Sequence, residues 1–465
     1  MQPNIKYRSK RLIQISCLGV MFTFALLIGA CKKDWLNAKP NKALVVPSTV
    51  SDYQNLLDNN QTMNTSQGGL YTLGDGDFYV TDTRYNTLSA PEMGAYIWAD
   101  TKTFYGGAQN SDWISGYNII LNANIVLDGL QSLKIDAESQ TSFNNVKGSA
   151  LFFRSLCFYN LAQAYCKLYN SATATTDLGL PLRLSSNVNI NVTRSSVQKT
   201  YDQIIGDLVT AAPMLPIKPL FLTRPSRPAV FGLLSRVYLS QQNYAKAFLY
   251  ADSCLQLNNS LMDFNTLLPS ASYPIPMFNS EVIFQYVING YAAFRSSRLI
   301  VDSVLYRSYA SNDLRSMVYF VPKPPNFSFK GSYDGDFQLF GGPATDEMYL
   351  IRAECYARTG NATSALNDLN TLLKTRWVTG TYVNMTAANS DAALALVLTE
   401  RRKELCYRGL RWTDLKRLNT DPRFQTTLTR TVNGQTYTLS PNSPKYVLPL
   451  DDYEIQVGGL EQNPR

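Results

Sequence analysis

The sequence predicts an all-α-dominated fold: a tetratricopeptide-like helical-repeat superhelix with long irregular loop insertions. Three observations predict it. An internal repeat has the spacing of a helix hairpin, further stretches are apolar at helical period, and long segments rich in Gly, Pro, Asn and aromatics separate them.

The repeat pairs Phe231–Leu255 with Tyr349–Leu373 at a fixed offset of 118 residues. Ser235 matches Ala353, Tyr238 matches Tyr356, Asn243 matches Asn361 and Ala247 matches Ala365. A small residue, an aromatic three later, a turn, and Ala nine after the aromatic is the tetratricopeptide spacing of two antiparallel helices. The small residues allow close approach and the Tyr fills the gap between units. Gly360-Asn361 supplies the turn of the second copy.

Other helices follow from periodicity. Trp113–Leu130 carries Trp113, Tyr117, Ile120, Ala123 and Leu127 on one stripe. Val146–Tyr169 carries Leu151, Phe158, Leu161, Ala162 and Tyr165, with Val197–Leu215 as its partner and Asn170–Arg194 as an insertion. Asp391–Arg417, with Leu394, Leu398, Leu405 and Leu415, reads as one more helical stretch. The irregular segments are Asn59–Asn110, Pro269–Pro343 and Thr420–Arg465. Loops this long are uncommon unless they bind something, so function is expected on them.

Composition narrows the chemistry. With 45% hydrophobic and 17% charged residues in 465, the chain can bury a sizeable core. Its 29 Tyr suit either that core or a broad binding surface. The absence of His excludes Ser-His-Asp and Cys-His catalysis and imidazole-based zinc sites. Any catalysis would rest on carboxylates, Tyr or Lys. The net charge of +8 owes four cations to the first 30 residues, and the +4 left is dispersed, which argues against nucleic acid as a partner.

The N-terminus predicts the compartment. Lys6, Arg8, Lys10 and Arg11 precede an apolar stretch from Leu12 to Ala30, which reads as a secretory signal over residues 1–30. Ile28-Gly29-Ala30-Cys31 resembles a lipobox, making Cys31 the lipidated residue, 31–45 a tether and 46–465 the folded domain, in halves 46–260 and 261–465. A permanent transmembrane anchor is the alternative. The mature chain keeps Cys157, Cys166, Cys254, Cys355 and Cys406, an odd number without CxxC spacing. They read as inert core residues, with neither a disulfide framework nor a metal site.

At Glu400-Arg401-Arg402-Lys403-Glu404-Leu405 and Gly409-Leu410-Arg411-Trp412-Thr413-Asp414-Leu415-Lys416-Arg417 the sequence resembles the SusD/RagB family. Asn279–Phe284, Asp313-Leu314-Arg315, Glu347–Glu354, Leu448-Pro449-Leu450 and Gln462-Asn463-Pro464 recur in the family's order. The resemblance implies an outer-membrane lipoprotein facing the cell exterior, partnered with a SusC-like TonB-dependent transporter. It implies a glycan as cargo, or less often a peptide, and neither a cofactor nor catalysis.

Two clusters invite sharper readings. Glu400–Arg417 reads as a structural ion-pair network, with Arg408 four residues after Glu404 and Trp412 in the core. Gly74-Asp75-Gly76-Asp77-Phe78-Tyr79 is a turn exposing two carboxylates. It could cap local backbone, clamp sugar hydroxyls, bind calcium, or serve as the carboxylate pair of a glycoside hydrolase. Around it lie Tyr85, Tyr96, Trp98 and Tyr105, with Trp98 as the main sugar platform, flanked by Tyr96 and Asp100. A second platform is Tyr291, Phe294, Phe327, Phe329 and Tyr333, expected to carry the ligand if Trp98 is core.

Overall fold

The computed structural model describes residues 47–65 and 68–465. The signal sequence, Cys31 and the tether lie outside the described residues. Helices of eight residues or more are α1 (Val50–Leu57), α2 (Ser111–Leu130), α3 (Gln140–Tyr165), α4 (Val197–Ala211) and α5 (Arg227–Ser240). They continue as α6 (Tyr244–Leu257), α7 (Thr345–Arg358), α8 (Ala362–Lys374), α9 (Ser390–Glu404) and α10 (Arg411–Leu418).

Caps set where the helices begin. Ser226 accepts from the Ala229 amide ahead of α5, whose first turn holds Pro228, a position that needs no amide hydrogen. Asn243 and Asn361 cap α6 and α8 in the same way, accepting from Lys246 and Ser364. These two caps stand 118 residues apart, as do the ends of α5 and α7, so the repeat inferred from sequence is a repeat in structure.

Each hairpin packs on the next: α2 on α3, α3 on α4, α5 on α6, α6 on α7, α7 on α8 and α9. Tyr238 stacks on Tyr250 within the first hairpin, ring centroids 5.6 Å apart. Tyr356 meets Phe248 edge to face at 4.9 Å, filling the gap between the hairpins, though it is only half-buried. Arg352 of α7 ties its neighbours together, bonding Asp252 of α6 and Asp368 of α8, each at 2.7 Å. The architecture is the helical, tetratricopeptide-like one expected.

One expected helix is two. The stretch Asp391–Arg417 breaks after Glu404, because Tyr407 (φ 60°) and Gly409 (φ 71°) turn the chain through the left-handed region. The break removes the helical spacing between Glu404 and Arg408, and that expected pair does not form. Glu404 instead binds Arg315 (2.9 Å) and Arg376 (2.7 Å), while Arg408 binds Asp346 (2.7 Å). Arg315 also holds Asp313 and Glu400, and Arg376 holds Glu281. Arg417 binds Glu354, and Arg236 binds Glu347. The short motifs scattered along the sequence thus meet in a buried network of ion pairs. Such charges persist in an interior only when paired and hydrogen-bonded.

Strands are short and antiparallel. β1 (Phe78–Tyr79) pairs with β4 (Ile300–Val301), and β2 (Leu178–Pro181) with β3 (Arg194–Ser196). β5 (Phe320–Lys323) and β6 (Asn326–Phe329) form a hairpin, as do β7 (Leu428–Val432) and β8 (Gln435–Leu439). The β7–β8 turn uses Asn433-Gly434, both with positive φ, the pairing that matches strand twist in a two-residue turn. A shared apolar core joins helices and loops within Thr49–Arg465, and the five free cysteines 157, 166, 254, 355 and 406 are buried.

Candidate ligand-binding site

The segment Asn59–Asn110, expected as an exposed binding loop, turns most of its aromatic rings into the interior. Trp98 is 2% exposed, with φ 56°, and its indole N–H donates to the Gly74 carbonyl at 3.0 Å. A ring enclosed this way has no free face for a sugar, so Trp98 is a core residue. The reason is Arg430 of β7, far off in sequence. Its guanidinium donates to the carbonyls of Leu73 and Tyr96 (2.7 and 2.6 Å) and sits 3.8 Å from the Tyr96 ring centroid and 5.1 Å from that of Trp98. The aromatic cluster that reads as a sugar platform encloses an arginine instead.

The neighbouring candidates share this fate. Tyr96 is buried, its hydroxyl accepting from the Val80 amide. Phe78 and Tyr85 are buried against Tyr96, and buried Tyr105 donates to the Pro449 carbonyl. Asp77 is buried and accepts from Arg402 at 3.0 Å. Asp75 accepts from the Asp77 amide, and burial, then the Asp77 charge, pushes its carboxyl up to about 8. Its proton is what a glycosidase acid needs, but the carboxyl is sealed from any substrate. Of this set Tyr79 and Asp100 stay exposed, and Asp100 pairs with Lys445 at 3.1 Å. The calcium reading gains no support, since among the described residues no group of three or more His, Cys, Asp or Glu side chains could hold a metal ion.

The second expected platform fares differently. A cavity of about 350 Å³ opens within Pro269–Pro343, lined by Tyr273, Phe294, Ser296, Phe329, Asp336 and Phe337 among others. An adjoining cavity of about 50 Å³ carries Tyr291 and shares Phe294 and Phe337. Phe337 is 55% exposed and Tyr273 41% exposed, so both offer a ring face. Lys330 pins the loop that bears Tyr273, donating to the carbonyls of Pro269 and Ala271. Phe294 forms the floor and rests edge to face on Phe78, centroids 5.8 Å apart. Tyr291 donates to Asp112 at 2.8 Å, fixing its ring at the edge of the smaller cavity. Phe327 and Tyr333 are not among the residues lining this groove: the Phe327 face is covered by Tyr306 (3.7 Å), and Tyr333 is buried, donating to Glu281.

Polar groups edge the rings. The Arg295 guanidinium lies 5.8 Å from the Phe337 centroid, and Asp336 accepts from the Gln338 amide at 2.6 Å. Behind it, buried Asp334 is pushed up to about 7 by burial and by its Asp336 neighbour. Asp336 is the one carboxylate lining the larger cavity, whereas glycoside hydrolysis uses two flanking the bond. The arrangement suits holding a ligand: flat faces for apolar C–H surface, with charged and hydroxyl groups beside them.

Sequence reasoning missed Tyr273, Arg295 and Phe337, although a signal was available. Asp334-Gly335-Asp336-Phe337 repeats Asp75-Gly76-Asp77-Phe78 residue for residue, and both glycines take positive φ.

Two family models match the chain. One, described as "Starch-binding associating with outer membrane", covers residues 34–239, and the SusD family model covers 346–465. The chain belongs to the SusD/RagB family. Solved structures share the family fold. A putative sugar binding protein from Bacteroides vulgatus is 22% identical over 90% of this chain and 99% of its own, with a TM-score of 0.71. A SusD superfamily protein from Bacteroides thetaiotaomicron is 20% identical over 90% and 100%, with a TM-score of 0.67. A laminarin binding SusD-like protein is 17% identical over 89% and 97%, with a TM-score of 0.61. At these identities the likeness speaks for the fold. Curated proteins give no match. Among the described residues of this SusD/RagB member, no helix is long and apolar enough to cross a membrane.

Proposed function

We propose that this protein is a surface lipoprotein, anchored through Cys31, that captures a glycan in the Tyr273–Phe337 groove. It delivers that glycan to a SusC-like TonB-dependent transporter in the outer membrane. The observation that carries the reading is a pair of exposed aromatic rings around a cavity of about 350 Å³ edged by Ser296 and Asp336, with Arg295 beside the Phe337 ring. A sugar ring stacked on one such face removes enough apolar area from water to contribute about 1–2 kcal/mol. Weak single contacts suit a protein that must also release its cargo. The glycan ligand named for the laminarin binding relative supports the choice of cargo class.

Titration calorimetry with laminarin, starch and other polysaccharide oligomers tests the reading, with intact oligomer recovered afterwards. Binding that is lost in Phe337→Ala supports it. Binding of peptides alone would replace glycan by peptide, and release of shortened oligomers would make the protein a hydrolase.

A further inference from the structure

The turns of the two helical hairpins, Gln241-Gln242-Asn243 and Thr359-Gly360-Asn361, differ at the left-handed position. After α7, Gly360 takes the left-handed conformation (φ 86°), where a residue without Cβ meets no clash. At the same place after α5 stands Gln242 (φ 59°), in a conformation that side chains rarely adopt. Gly360 closes the sister turn without a side chain, whereas the Gln242 carboxamide oxygen accepts from the Thr420 hydroxyl at 3.2 Å. The Gln242 side chain lines a cleft of about 1160 Å³, as does Asn442, also left-handed at φ 59°. Backbone strain kept beside a cavity clusters at sites that bind.

At the floor of this cleft is buried Lys416. Its ammonium donates to the carbonyls of Gln163 (2.9 Å) and Cys166 (2.7 Å), closing the C-terminal end of α3. An ammonium has three donors, so one remains. Burial pulls Lys416 down to about 8, and no carboxylate offsets that burial. The one acid lining the cleft, Asp177, is engaged by Lys167 and Thr173, each at 2.6 Å. The cleft therefore holds an ammonium that meets helix-end carbonyls and no carboxylate. Around it lie the half-buried rings of Tyr169 and Tyr244, the latter with the Arg358 guanidinium 4.5 Å from its centroid, and the carboxamides of Gln241, Gln242 and Asn243, of which Gln242 accepts from Thr420 and Asn243 from the Lys246 amide. No lining residue belongs to a strand, so the cleft offers no ladder edge to an extended peptide.

We propose that this cleft is a second saccharide site, separate from the Tyr273–Phe337 groove, and that it takes an acidic sugar whose carboxylate meets the Lys416 ammonium. Carboxamides and tyrosine faces match sugar hydroxyls and ring C–H surface, and the volume exceeds the roughly 300–1,000 Å³ of small-ligand pockets, which favours an oligomer. The choice of a saccharide rests on the glycan reading above; the charge and the strained turn do not.

Calorimetry on the full-length protein in detergent, with trimers of galacturonate, glucuronate and mannuronate and a neutral glucose trimer, tests this. At least one acidic trimer should bind, about tenfold or more tighter than the neutral one. Gln242→Gly should raise the melting temperature by relieving the left-handed strain, yet weaken the acidic trimer about tenfold. Lys416→Gln should abolish its binding, and Phe337→Ala should leave it unchanged. If Lys416→Gln misfolds because α3 loses its cap, Gln242→Gly decides. The inference is overturned if none of the acidic trimers binds, if Gln242→Gly stabilises without weakening binding, or if Phe337→Ala removes it. A neutral glycan still held by the groove in those cases would leave the glycan reading standing.

Discussion

Phe78 and Phe337 hold the same place in two copies of Asp-Gly-Asp-Phe, yet Phe78 is 2% exposed and Phe337 55%. Phe78 is in a strand paired to Val301, with Tyr96 and Phe294 against its ring. Phe337 lies outside any strand and faces the groove whose floor, Phe294, rests on Phe78. One copy supports the site and the other presents a ring to it. Phe337→Ala should therefore weaken glycan binding by about 1–3 kcal/mol, the span of an anchor residue, with a melting temperature close to wild type. Phe78→Ala should lower stability by about 3–5 kcal/mol through the cavity it leaves. A calorimetric titration and a melt on both variants check the pair. Equal loss of stability in the two would remove Phe337 from the binding surface.

Trp98 is expected to behave as Phe78 does. Trp98→Ala removes a buried indole and the hydrogen bond to Gly74, and exposes the Arg430 cage to water. A loss of about 3–5 kcal/mol in urea unfolding is expected, with ligand affinity per folded molecule retained. Affinity lost with stability intact would return Trp98 to the ligand.

How far the sequence could be read follows from such pairs. Helices α2, α3, α5 and α7 were legible because their apolar residues recur at helical period, and Asn243 and Asn361 mark where α6 and α8 begin. The burial of Trp98 was not legible: Arg430, which fills the aromatic cluster, reaches Tyr96 across 334 residues, and no local pattern records that. Tyr291, Phe294 and Phe329 were legible as one aromatic cluster and do line the two cavities, but the partners that cover Phe327 and stack on Phe329, Tyr306 and Tyr407, were not. The break after Glu404 was signalled by Gly409 and overlooked because Leu405 and Leu415 continued the apolar pattern.

The buried ion-pair network should be intolerant of losing one member. Arg315 has no exposed side chain and answers Asp313, Glu400 and Glu404 at once. Arg315→Met leaves three carboxylates short of a partner, and breaking a buried pair from one side typically costs about 3–5 kcal/mol. Chemical denaturation should show a loss of at least that size, while Arg423→Met, whose bonds to Asp391 and Asp421 are at the surface, should leave the unfolding curve close to wild type. Comparable small shifts in both would mean that the network does not hold the helices together.

Asp75 predicts a pH dependence with a definite sign. Its carboxyl titrates near 3.8 in the unfolded chain and is pushed up to about 8 in the fold, by burial first and the Asp77 charge second. Between those values the folded protein keeps a proton that the unfolded chain has released. The unfolded state then binds fewer protons, so stability falls as pH rises. The contribution is whole below about pH 4 and is lost through about pH 8. Asn keeps the oxygen that accepts from the Asp77 amide but cannot ionise. Asp75→Asn should therefore match wild type near pH 4 and exceed it increasingly toward pH 9. Asp334, raised to about 7 by burial, adds a slope of the same sign that the substitution leaves in place, so the dependence should shrink without vanishing. Melting both proteins from pH 4 to pH 9 measures the difference. A gap that widens toward acid instead would mean that Asp75 is ionised in the fold and paired, with Arg430 and Arg411, the cations that pull its carboxyl downward, as its counterions.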